Sequence, residues 1–242
     1  MDRREFCRYT AAAGVAASAP FILTACGRSE PLVTKAEAGI RAISLSGTEI
    51  ELEKAAVNEL GSSMTGDLLL SGDNGYDIAR TVWNGMHDKR PALIAMCTSA
   101  EDVSHAVTFA RERELLVAVR GGGHSWPGKS VCDGGLMINL SRMNNVTVNP
   151  DTRRAMAQGG ALLGHLDGAS LLHGLVTTAG VVSHTGVGGF TLGGGYGRLN
   201  RKYGLAVDNV VGATIVTTPK LPPPPRMAQN RSGSLSALIC RV

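Results

Sequence analysis

Two segments of this chain are built largely of glycine: Val119-Arg-Gly-Gly-Gly-His-Ser125 and Gly186-Val-Gly-Gly-Phe-Thr-Leu-Gly-Gly-Gly-Tyr-Gly197. Glycine loses more backbone entropy on folding than any other residue, so dense runs belong where the chain needs positive φ or close approach to another backbone or a ligand. Successive N–H groups turned toward one point also form a seat for an anion. Both segments therefore predict binding loops, and the first carries a histidine among its glycines.

With 43% of its 242 residues hydrophobic, the chain can fill one sizeable core or two small ones. Its formal charge of +4 lies at the ends. Arg3, Arg4 and Arg8 against Asp2 and Glu5 give residues 1–25 a charge of +1; Lys220, Arg226, Arg231 and Arg241 give 219–242 a charge of +4; residues 26–218 carry −1. No folded basic face follows, so no nucleic-acid partner is predicted.

The first 26 residues read as a targeting segment. Arg3 and Arg4 precede a small-residue apolar run from Ala11 to Ala19, the pattern of a bacterial twin-arginine signal that exports proteins already folded. Leu23-Thr-Ala-Cys26 also resembles a lipobox, which would make Cys26 a lipid anchor on an extracytoplasmic protein. The alternative is a chance Arg-Arg pair on an ordinary N-terminal helix. No run of about 18 apolar residues predicts a membrane span. The cysteines at 7, 26, 97, 132 and 240 form no CxxC pair, so neither a metal site nor a disulfide framework is expected, and Cys97 reads as a buried small hydrophobe.

Residues 27–66 read as a linker followed by a short helix over Ile50–Leu60. From Asp67 the pattern tightens into a strand at Leu68–Leu70, a turn over 72–75, a helix over Asp77–Trp83 and a strand at Ala92–Met96. Ser99 with Asp102 resembles a capping box, and Val103, Ala106, Val107 and Ala110 recur at helical spacing. They predict a buried helix of about 14 residues. The continuous apolar run Leu115–Val119 predicts an inner strand. Strands are expected at Leu136–Leu140, Val146–Val148, Ala155–Gln158, Leu175–Thr178 and Val210–Thr217, with a turn at Asn149-Pro-Asp151 and a helix over Ala161–Leu172. Helices and strands mix without alternation or repeat, so the fold class is α+β. Residues 219–242 open on Pro219-Lys-Leu-Pro-Pro-Pro-Pro225 and are expected not to pack, either as a natural proline-rich tail or as the product of a shifted reading frame.

Gly123-His-Ser-Trp-Pro-Gly128-Lys129-Ser130 satisfies the phosphate-loop pattern GxxxxGK[ST] after a strand. That mechanism needs a helix opening directly after the Lys-Ser pair. Val131-Cys-Asp-Gly-Gly135 disfavours one, which leaves a nucleotide-binding P-loop as the weaker alternative. The second glycine segment lacks the G-x-G-x-x-G spacing with an acidic residue about 20 positions on, so a Rossmann domain is not expected.

Between Gly72 and Thr218 several segments occur in one order: Tyr76-Asp-Ile-Ala-Arg-Thr-Val-Trp-Asn-Gly85, Arg90-Pro91, the first glycine segment, Gly134 to Met143, Ser183-His-Thr-Gly-Val-Gly-Gly189, Leu192 to Gly197, and Arg201-Lys-Tyr-Gly-Leu205 through Asp208-Asn209. Together they resemble the FAD-binding domain of the vanillyl-alcohol oxidase (PCMH-type) flavoproteins, and within it the bacterial berberine-bridge-enzyme-like oxidases. The resemblance implies two α/β subdomains over 67–218 with FAD between them and the substrate domain absent. It implies that Arg120, Gly121, Gly122, Gly123, His124 and Ser125 wrap the FAD pyrophosphate, and that His124 is joined to the 8α-methyl carbon of the flavin. A neutral imidazole nitrogen is a competent nucleophile for that bond.

Val182 stands where some members carry a second linking cysteine, so a single link is expected. His184, Thr185, Gly186, Gly188 and Gly189 would lie along the flavin, with a satisfied loop residue as the alternative for His184. Gly193 and Gly194 would pack beside it, and Trp126 would either shield the site or serve packing alone. The implied activity is hydride transfer from a small-molecule alcohol, sugar or amine-like substrate to FAD with oxygen as acceptor. No catalytic base is assigned. The alternative is a flavin-binding remnant without activity.

Overall fold

The computed structural model describes Ala36, residues 39–217 and Ser234–Arg241. The signal-like segment with Cys7 and Cys26, and the proline run, lie outside the described residues. Strands β1 (Ile40–Ile43) and β2 (Glu49–Leu52) form an antiparallel hairpin, followed by helix α1 (Lys54–Ser63). Ala42, Leu52, Val57 and Leu60 are buried in the largest core cluster. Residues 40–52, expected to belong to a linker and the start of a short helix, thus form a hairpin packed on this core. The helix expected from Ile50 begins only at Lys54, because Glu49, Ile50, Glu51 and Leu52 alternate with period two, the strand period.

The first sheet has the order β3 (Asp67–Leu70), β4 (Leu93–Met96), β6 (Leu136–Asn139), β5 (Val117–Arg120); β3 is antiparallel to β4 and the other pairs are parallel. Strands β4 and β6 are buried on both faces, as unbroken apolar runs require. Helix α2 (Tyr76–Arg80) starts after Gly75, which sits at φ +88°, and stops at Arg80 rather than reaching Trp83. Tyr76 and Ala79 pack with Ile94, Met96 and Met137 on one sheet face.

The other face is covered by helix α3 (Ala100–Glu112), whose Val103, Ala106, Phe109 and Ala110 are buried. Ser99 Oγ accepts the Asp102 N–H at 3.2 Å, as the capping pattern predicts. Asp102 itself is 1% exposed. Burial alone would raise its pKa, but N–H bonds from Thr98 and Thr65, with their hydroxyls, hold the carboxyl below its usual value.

The inner strand expected at Leu115–Val119 is instead the edge strand β5, with Ala118 buried and Val117 and Val119 38% and 37% exposed. A continuous apolar run does not by itself specify a neighbour on both sides.

The second sheet has the order β7 (Val146–Asn149), β8 (Arg154–Gln158), β10 (Ser234–Arg241), β9 (Val210–Val216), all antiparallel. Helix α4 (Leu163–Leu171) and helix α5 (Val187–Leu192) contribute Leu163, Leu166 and Val187 to a core that includes Ala155, Ala157 and Cys240. Strand β10 departs from the expectation that 219–242 would not pack. Ala237 to Arg241 pair with Gln158 to Arg154, and residues 234–240 pair with 216–210 on the other side. The proline run dominates the composition of that segment and masks a short apolar stretch beyond it.

Residues 175–178 are not a strand. The Leu175 N–H donates back to Ser170 O in the last turn of α4, and Thr178 Oγ1 donates to Leu205 O. The short helix α6 (Asn200–Tyr203) precedes β9. The fold class is α+β, with two helix-covered sheets. No helix among the described residues is long and apolar enough to cross a membrane.

Candidate functional site

Strands β5 and β6 run parallel, and both deliver their carboxyl ends to the first glycine segment. Such ends are where open sheets with parallel strands bind ligands. The Leu140 N–H bonds Arg120 O at 2.8 Å and closes the sheet. Beyond it the two glycine segments meet backbone to backbone. A Cβ on Gly122 would lie 2.3 Å from Gly186 N, and one on Gly186 2.5 Å from Gly122 N.

Residues 183–187 run along the start of α4, held by Leu163 N to Thr185 O, Gly164 N to Ser183 O and Val187 N to Ala161 O, each 2.8 Å. Gly160 is confined in the same way, since a Cβ there would lie 1.7 Å from Leu140 O. Among the described residues, no backbone N–H from Gly121 through Ser125 donates to a backbone acceptor outside regular structure, and none has a side-chain acceptor. The row is free for an anionic ligand.

Over this junction opens a cleft of about 520 Å³, lined by Thr81 to Trp83, Arg120 to Gly122, His124, Ser141, Asn144, Gly160, Leu162, His165 and His184. Arg120 curls beneath Gly123, which sits at φ +70° and whose missing Cβ would meet the guanidinium at 3.1 Å. Burial lowers the Arg120 pKa, its Nε has no hydrogen-bond partner, and its Nη2 reaches only Thr81 O at 3.4 Å. A desolvated cation with an orphaned N–H at the end of a row of free backbone N–H groups fits a phosphate-bearing ligand.

At the other side of the cleft His124 Nε2 lies 2.6 Å from His184 Nδ1. At that separation one ring nitrogen donates to the other, with the roles set by the tautomers. Burial, and then the charge of His184, lower the His124 pKa, which favours a neutral ring. The Trp83 indole stacks on His124 with centroids 4.9 Å apart and planes 17° from parallel. His165 Nδ1 accepts the Leu162 N–H at 3.2 Å at the start of α4.

Of the residues singled out in the sequence, Arg120, Gly121, Gly122, His124 and His184 line the cleft. Gly123 packs over Arg120, and Thr185 and Gly186 form the junction with the start of α4. Ser125 closes a turn, its Oγ accepting the Lys129 N–H at 3.0 Å. Gly188 and Gly189 lie within α5, and Gly193 and Gly194 at its carboxyl end, where they do not line the cleft. Turns and strand β6, not a helix, follow Lys129-Ser130, contrary to what a nucleotide P-loop requires.

Trp83, Ser141, Asn144, Leu162 and His165 carry no individual role in the sequence reading. Ser141 and Asn144 follow the carboxyl end of β6, a usable signal; nothing local marks His165. Among the described residues no group of three or more His, Cys, Asp or Glu side chains could hold a metal.

A family model described as FAD binding domain matches residues 91–220. The chain is 39% identical over 155 residues to (R)-6-hydroxynicotine oxidase of Paenarthrobacter nicotinovorans, covering 64% of this chain and 34% of that protein. It is 42% identical over 135 residues to berberine bridge enzyme-like D-1 of Nicotiana tabacum, covering 52% of this chain and 24% of that protein. Among solved structures, 6-hydroxy-D-nicotine oxidase from Arthrobacter nicotinovorans superimposes with a TM-score of 0.66 at 31% identity, covering 74% of this chain and 42% of that one. The chain thus spans about a quarter to a third of the length of these two curated relatives.

Proposed function

The chain belongs to the FAD binding domain family, and on that premise we propose that it is the FAD-holding part of a berberine-bridge-like oxidase, with His124 as the covalent attachment point of the flavin. Its cofactor is FAD. The observation that carries the reading is the junction of Gly122 with Gly186 beside a half-buried Arg120 whose Nε has no partner, and a His124 whose pKa is lowered by burial. Arg120 and the N–H groups of 121–125 hold the pyrophosphate. Neutral His124 supplies a ring nitrogen for the bond to the 8α carbon, and His184, at 2.6 Å, accepts or donates the proton that fixes its tautomer.

When bound, FAD would supply a hydride acceptor for a small-molecule alcohol, sugar or amine-like substrate, with oxygen as the final acceptor. Export by the twin-arginine route, with Cys26 as a lipid anchor, belongs to the same proposal and is supported by Arg3-Arg4 and Leu23-Thr-Ala-Cys26. Titration of the purified flavin-free protein with FAD tests the cofactor site. Arg120→Met is expected to weaken uptake at least about tenfold, the scale of one lost charge-assisted contact; equal uptake by both proteins would remove Arg120 from the site.

A further inference from the structure

Trp83 is a large aromatic side chain that is 54% exposed, so core packing does not account for it. Its backbone N–H donates to Gly123 O at 3.0 Å, one residue before His124. The residues after it continue along the first glycine segment. Asn84 Nδ2 and His87 Nε2 meet the Trp126 carbonyl at 3.0 and 2.9 Å, and Lys89 Nζ reaches Gly128 O at 3.4 Å. Gly128, at φ +68°, leaves the space that the His87 ring takes, since a Cβ there would lie 2.4 Å from His87 Cγ. Residues 83–89 therefore brace 123–128, and the indole lies flat on the imidazole at the end of that brace.

An imidazole that must present one nitrogen needs two constraints, on the ring plane and on rotation within it. The bond from His124 Nε2 to His184 Nδ1 sets the rotation. It leaves the plane free to rock, and the stack against Trp83 sets the plane. We propose that Trp83 is the positioning residue for His124, holding its ring in the orientation from which the flavin is attached; this rests on the reading of His124 as the attachment point. Attachment forms one bond from an imidazole nitrogen to the 8α carbon and releases one hydrogen from each partner. The two electrons and two protons go to dioxygen as hydrogen peroxide.

Trp83→Leu keeps an apolar side chain without an aromatic face, and Trp83→Phe keeps the face. In flavin-free protein, the His124 ring-proton NMR signals are expected to carry the ring-current shift of Trp83, to lose it in Trp83→Leu and to retain most of it in Trp83→Phe. At saturating FAD, Trp83→Leu should form acid-stable flavin at least about tenfold more slowly than wild type, since small misplacements of a reacting group carry penalties of that order. Trp83→Phe should attach within about threefold of the wild-type rate. Wild-type attachment by Trp83→Leu, or unmoved His124 signals, would overturn the proposal. Should the wild-type protein bind FAD without attaching it, the attachment reading fails, and the His124 signals alone decide whether Trp83 orients the ring.

Discussion

Replacing Gly122 with alanine puts the contact between the two glycine segments to the test. The added Cβ would lie 2.3 Å from Gly186 N, 2.5 Å from Gly186 Cα and 3.2 Å from Leu162 Cδ2. The first two are backbone atoms, about 1 Å inside ordinary contact, and no side-chain rotation relieves them. The segments must part by that distance, or the start of α4 must shift with them through the bonds from Leu163 and Gly164.

Overpacking of this kind costs about 1–3 kcal/mol, offset in part by the gain of about 0.4–1 kcal/mol that alanine brings by restricting the unfolded chain. For a folded unit of this size 1 kcal/mol moves Tm by about 2–4 °C, so a fall of several degrees is expected by thermal melt, together with weaker FAD uptake. Gly189→Ala is the matched control. It lies inside α5 with nothing within 4 Å of its Cβ and should be neutral or stabilising by up to about 1 kcal/mol. A Gly122→Ala protein that melts at or above wild type and takes up FAD equally would refute the contact.

Asp102→Ala removes the acceptor of the Thr65, Gly66 and Thr98 N–H groups and should cost about 3–5 kcal/mol in urea melts. Because the folded pKa of Asp102 is depressed, its contribution is present above the unfolded pKa near 3.9 and is lost as pH falls through the folded value. His124 has a depressed folded pKa as well, so the unfolded chain takes up its proton first. Acidification from pH 7.5 through about 6.5 should lower Tm less in His124→Asn than in wild type, provided the variant keeps the fold. Cys97, Cys132 and Cys240 are buried, with burial pushing their thiols up to about 12, about 11 and about 11. All three should resist maleimide until denaturant is added, and rapid labelling of Cys240 alone in the native protein would show that β10 does not occupy its place in the second sheet.

Much of the framework was legible in the sequence because the relevant signals are local. Ser99 and Asp102 mark the start of α3, and Val103, Ala106 and Ala110 mark its buried face. The unbroken apolar runs of β4 and β6 mark strands covered on both faces. The helix expected from Ile50 overrides a local alternation over Glu49–Leu52, whereas two further departures lie where the decisive partner is distant in sequence. Nothing in Leu115–Val119 tells that β5 has a neighbour on one side only, and nothing in 234–241 tells that β8 and β9 leave room for it.

The site divides in the same way. The sequence picks out Gly122, His124, His184 and Gly186. The contact of Gly122 with Gly186, the proximity of the two histidines, the stack on Trp83 and the unpartnered Nε of Arg120 exist only once residues distant in sequence are brought together.

Everything proposed for the site turns on a covalent bond between His124 and FAD. Its most direct measurement is acid precipitation of the protein after incubation with FAD, followed by the absorbance of the pellet and the intact mass. A yellow pellet and the mass of one attached flavin are expected in the wild type. A colourless pellet, with flavin bound reversibly before denaturation, is expected in His124→Ala. Wild-type protein that binds FAD and releases all of it into the acid supernatant would contradict the covalent assignment.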